Sequence, residues 1–70
     1  MAEITDKMKA ACAKREAAMR RRVYPRWVAE GRRDWTQARA DAEIATMEAI
    51  AADYQAKVDA EADAAAPKLL

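Results

Sequence analysis

The stretch "MRRRVYPRWVAEGRRDWTQARADAEI", residues 19–44, decides how the chain folds. Pro25 stands inside an otherwise helical pattern, between a triple arginine and Trp27, with Gly31 and Trp35 following. Such a stretch suits a basic arm for nucleic acid, a catalytic loop, or the corner of a helical hairpin. The residues on either side of it select the corner.

Gly31 is the only glycine. It follows the last residue of a periodic run, where a helix wants a left-handed C′ residue. "GRRDW" then reads as a short turn over 31–35. Thr36 is an N-cap, with Trp35 before it placed to staple onto Ala40. The upstream helix opens at Thr5, with Ile4 as staple residue and Asp6 in its first turn, and covers about residues 6–30. Its apolar positions are Met8, Cys12, Met19, Val23 and Trp27, which share an arc of about 100°. That stripe keeps its phase through Pro25. The spacing therefore predicts one helix, kinked near Val23–Pro25 because proline lacks an N–H and its ring meets the Arg21 carbonyl. The alternative ends the helix at Val23 and starts a short one with Pro25 at its first position.

Downstream, Ala40, Ile44, Met47, Ala51, Tyr54, Val58 and Ala62 recur at alternating steps close to four and three, a seam of about three heptads. This predicts a second helix over about residues 37–62. Beyond it Pro67 ends any helix, and residues 64–70 read as a flexible tail.

A five-residue connection makes the helices antiparallel. With the corner at Gly31–Trp35, residues whose numbers sum to about 66–67 lie opposite one another. Val23 then meets Ile44, Met19 meets Met47, Cys12 meets Tyr54 and Met8 meets Val58. In the same register Arg26 lies near Asp41 and Arg22 near Glu48. Residues 1–33 hold ten Lys/Arg and four Asp/Glu, whereas residues 34–70 hold three and eight. Pairing between the two helices accounts for that division of charge. The second faces are rich in alanine (Ala10, Ala11, Ala17, Ala18; Ala42, Ala45, Ala49, Ala52), and small residues let helices approach closely. The expected architecture is all-α: a two-helix antiparallel hairpin of one domain, pairing as a C2 homodimer into a four-helix bundle.

Composition limits the function. Seventy residues make one small domain whose core is marginal without help. A lone cysteine, Cys12, rules out an internal disulfide, and the absence of histidine rules out a Cys/His zinc site. Extra buried area is therefore expected from a partner chain. No apolar run is long enough to cross a bilayer. The opening "MAEITDKMKAACAK" lacks the apolar core of a signal peptide, and an unpaired thiol suits a reducing cytoplasm. With no glycine-rich loop and no catalytic triad, the expectation is a protein that is not an enzyme, with no catalytic residues, cofactor or metal. Cys12 on the apolar seam reads as a small hydrophobe.

Two constellations remain. Tyr24, Arg26, Trp27, Arg32, Arg33 and Trp35 gather around the corner and have the composition of a protein-binding hot spot. Arg20, Arg21, Arg22, Arg26, Arg32 and Arg33 form a basic run that suits phosphates, and the tryptophans add stacking surfaces. A helix–turn–helix reader fits poorly, since the second helix is acidic. The protein-binding reading is preferred and the nucleic-acid reading is its alternative.

The stretch "CAKREAAMRRRVYPRWVAEGR", followed by "TQARADAEIATMEAIAADY", resembles small proteins encoded by bacteriophages and prophages of proteobacteria. The resemblance rests on Cys12–Ala13, Arg15–Glu16, Arg20–Arg22, Tyr24–Pro25, Gly31–Arg32 and Met47–Glu48–Ala49–Ile50, and spans residues 12–54. The loop "RRDWT" departs from the group in being longer and more aromatic. No activity comes with the resemblance. It implies a phage-encoded accessory protein acting in the cytoplasm of the host bacterial cell, where it would bind and modulate a host or phage protein.

Overall fold

The computed structural model describes residues 3–65, and over these the chain forms two α-helices. Helix α1 covers Asp6–Ala29 and α2 covers Gln37–Ala65. They pack against each other as a hairpin. Among the described residues there is no strand. The second helix runs past the expected end near residue 62, so residues 64 and 65 are helical rather than tail. The alanine-rich segment there favours continuation. The rest of the expected tail lies outside the described residues.

Both ends of α1 and the start of α2 are closed by the residues the sequence supplies. The Thr5 hydroxyl accepts from the Met8 amide at 3.2 Å, satisfying one of the free donors of the first turn of α1. The Thr36 hydroxyl does the same for Arg39 at 3.1 Å at the start of α2. At the end of α1 the Gly31 amide donates to the Val28 carbonyl and the Arg32 amide to that of Trp27. Gly31 has φ of 68°. This is a Schellman termination with glycine at C′, and it sets the direction in which the chain leaves the helix. Pro25 lies within α1, which is assigned as one continuous helix across it. The reading that divides the helix there is not the one adopted.

The seam of α1 is not the one read from its large apolar residues. The buried residues of α1 are Ala10, Ala13, Ala17 and Tyr24, with Arg20, Val23 and Trp27 half-buried. Met8 and Met19 are 46% and 40% exposed, and Cys12 is exposed too. The buried set is itself a four–three repeat, passing from Ala10 through Ala13, Ala17, Arg20 and Tyr24 to Trp27. It lies on the far side of the helix from Met8, Cys12 and Met19, by about 140°. On α2 the seam is as read from Ala40 to Val58, with Ala40 fully buried and Ile44, Met47, Ala51, Tyr54 and Val58 half-buried, but its last expected member, Ala62, is exposed. A row of alanines against this larger row brings the two backbones together without a clash. Methionines in the same place would hold them apart.

The charge pairing follows the true seam. Arg21 meets Glu48 at 3.5 Å and Arg20 meets Glu43 at 3.4 Å, in place of the expected Arg22–Glu48 and Arg26–Asp41. Asp41 instead accepts from Gln37 at 2.8 Å. These pairs bracket the expected antiparallel register, and Lys9 placed 5.3 Å from the Tyr54 ring centroid agrees with it. The layers therefore match while the face of α1 is turned.

Candidate functional site

Three aromatic rings meet where the hairpin turns. Tyr24 comes from the last turns of α1, Trp27 from one turn later, and Trp35 from the loop before α2. The Tyr24 and Trp35 centroids are 4.4 Å apart, Trp27 and Trp35 5.1 Å, and Tyr24 and Trp27 5.2 Å. Tyr24 is buried, while both tryptophans are half-buried. Tyr24 and Trp27 lie three residues apart on one face of α1, so helical spacing places them together. Trp35 reaches them because the left-handed Gly31 and Asp34, with φ of 74°, fold the loop back over the helix end.

Arginines roof the cluster. The Arg39 guanidinium lies 4.4 Å from the centroid of Trp35, that of Arg32 4.9 Å from Trp27, and that of Arg20 5.8 Å from Tyr24. Each is within the range of a cation–π contact. Arg39 also donates to the Asp34 carbonyl at 3.0 Å, and Arg32 pairs with Glu30 at 3.2 Å. Arg39 was not among the corner residues read from the sequence. Its place three residues after an N-cap threonine aims it back at the loop, a signal that helix geometry alone provides.

The six expected corner residues thus divide. Tyr24, Trp27 and Trp35 form the ring cluster, and Arg32 covers it. Arg26 and Arg33 are exposed and take no part in the cation–π contacts. The basic run divides as well. Arg20 is engaged by Glu16 at 3.1 Å and by the Glu43 side chain and carbonyl at 3.4 Å. Arg21 pairs with Glu48 and Arg32 with Glu30. Among the described residues Arg22, Arg26 and Arg33 are the exposed members without a carboxylate partner.

A second feature was missed at sequence level because it joins the two helices. Ile4, Met8, Cys12 and Ala13 of the α1 side and Met47 and Ile50 of α2 line an open groove of about 800 Å³ along one face of the hairpin. Ile4 is 62% exposed and Ile50 38%. The opposite face carries the charged and amide side chains of Lys14, Arg21, Glu48 and Gln55 around Ala17, Ala51 and Ala52. Among the described residues no group of three or more His, Cys, Asp or Glu side chains gathers around a common point. Among the described residues no helix is long and apolar enough to cross a membrane.

Neither family models, curated proteins nor solved structures match this chain.

Proposed function

We propose that the chain is a small non-enzymatic protein-interaction module, a phage-encoded accessory protein that binds and modulates a host or phage protein in the host cytoplasm. The observation that carries the reading is the corner. Trp27 and Trp35 pack on each other and on Tyr24, yet keep part of their surface in solvent, with Arg32 over Trp27 and Arg39 over Trp35. Packed tryptophans beside arginine are what dominates binding energy at protein interfaces, because little side-chain freedom is lost on docking. The phage resemblance of residues 12–54 supports the accessory role. A bend near Val23–Pro25 would serve the same end, tilting the last turn of α1, which carries Trp27. The hairpin is read as one half of a homodimer.

The test is capture from host lysate. Arg26→Glu and Arg33→Glu change exposed side chains outside the ring cluster and should leave the helical content intact while losing the captured partner. Trp27→Ala should lose it too. Equal recovery by all baits would remove the corner as the binding surface.

Arg22, Arg26 and Arg33, exposed and without carboxylate partners, favour the nucleic-acid reading as an alternative. It predicts a mobility shift of duplex or single-stranded DNA at about 50 mM salt, where phosphate contacts are strongest. The engagement of Arg20, Arg21 and Arg32 by acids favours no shift under those conditions.

A further inference from the structure

The hairpin is one layer of two helices, and a layer with one apolar face calls for a second layer. Its large apolar side chains are largely unburied. The buried residues are four alanines and Tyr24, while Ile4, Met8, Met19 and Ile50 are exposed. The radius of gyration is 16.6 Å, where a compact domain of this length has about 11 Å. The accessible surface is 5690 Å², whereas a compact monomer of this mass exposes about 4,400 Å². The excess, on the order of 1,300 Å², covers the roughly 800 Å² that each partner gives to an interface of standard size.

We propose that a second copy of this chain covers the groove lined by Ile4, Met8, Cys12, Met47 and Ile50, with α1 of each copy lying against α2 of the other and both turns at the same end. The inference deepens the homodimer in the reading above by assigning its face and orientation. It also reverses the expectation that alanines join the protomers and methionines join the helices.

Charge selects both the occupant and the orientation. Helix α1 carries eight Lys/Arg and two acids, and α2 carries two Lys/Arg and seven acids. Stacking α1 on α1 of the other copy would oppose two strongly positive helices; stacking α1 on the other copy's α2 joins opposite signs at both contacts. A two-fold axis running along the hairpin between its helices makes that arrangement and keeps the antiparallel register. Arg15, exposed on the outer edge of α1, then comes level with Asp53, exposed on the outer edge of α2. The opposite face with its Arg21–Glu48 pair stays in water.

Sedimentation of the wild-type chain from about 1 to about 100 µM, the range over which ordinary interfaces form, tests the occupant. The expected result is twice the 7.8 kDa protomer mass. Met8→Glu and Ile50→Glu should weaken association at least tenfold, and Ala52→Glu on the opposite face should leave it unchanged. Should the groove variants unfold, the wild-type melting temperature decides instead, since a dimer melts higher as its concentration rises and a monomer does not. A 7.8 kDa species throughout, or equal weakening by Ala52→Glu, overturns the proposal. A nitroxide at Arg33→Cys in a Cys12→Ser background reads the orientation. Turns at one end place the two labels within about 25 Å, whereas opposite ends separate them by the α1 length of about 36 Å or more. A monomer that still captures a partner through the corner would sink this inference and the homodimer but spare the corner as a binding surface; a dimer that captures nothing would do the reverse.

Discussion

Gly31 and Asp34 both occupy the left-handed region, but only one of them does so at no steric cost. A Cβ at Gly31 would meet nothing within 4 Å, so any penalty there is purely one of backbone conformation. Gly31→Ala should therefore destabilise by about 1 kcal/mol, read as a lower urea midpoint with unchanged slope. Asp34→Gly should act in the opposite direction, stabilising by about 0.5 kcal/mol, provided the Arg39 contact to the residue-34 carbonyl survives. A midpoint unchanged in both variants would show that the loop does not hold the conformation described. Arg20 is the other residue whose position matters singly. It sits on the seam among alanines and Tyr24, and its side chain, 19% exposed, joins Glu16 of its own helix to Glu43 of the other. Its aliphatic stem fills the seam while its head ties the layers.

At the scale of the element, the two faces of α1 carry different duties. The alanine face sets the distance to α2, so enlarging it should push the helices apart. Ala17→Met is expected to cost about 1–3 kcal/mol, with Ala17 only 1% exposed. Met19→Ala, by contrast, should cost less than about 1 kcal/mol, as expected of an exposed site. The order of these two costs, measured by thermal denaturation, separates the observed seam from the one drawn through the methionines. The turn end is held mainly by the rings. Tyr24→Ala removes two of the three ring contacts and a buried side chain, an expected loss of about 3 kcal/mol. The near-ultraviolet circular dichroism of the tryptophans should fall with it. An undiminished signal would mean that Trp27 and Trp35 do not depend on Tyr24 for their order.

For the whole molecule the division of charge between the helices is the governing feature. It draws α1 to α2 within a protomer, and in the proposed assembly it does so again between protomers. Surface pairs of this kind each contribute about 0–1 kcal/mol and are screened by salt. Raising sodium chloride from about 0.05 to about 0.5 M, a range over which the Debye length falls severalfold, should lower the melting temperature while leaving the helical signal at low temperature intact. A melting temperature that rises with salt would mean that like-charge repulsion dominates. An accessible surface this large for the mass also makes the hairpin marginal by itself, which is why its stability belongs to its surroundings as much as to its sequence.

The elements, caps and corner follow from local chemistry, and the sequence by itself determines them. Alanine and the four–three repeat make helices, Thr5 and Thr36 start them, and Gly31 stops α1 because only a residue without a side chain turns left-handed freely. Two apolar rows are written on α1, one of alanines leading to Tyr24 and Trp27, the other of methionines with Cys12. Reading side chains by size favours the methionines. Only the tertiary structure decides between them, because the criterion is how closely two backbones can approach, and that depends on what α2 presents. Against the larger residues Ile44, Met47 and Tyr54, small partners pack best. The same decision brings Trp35 onto Tyr24 and turns the methionine face outward.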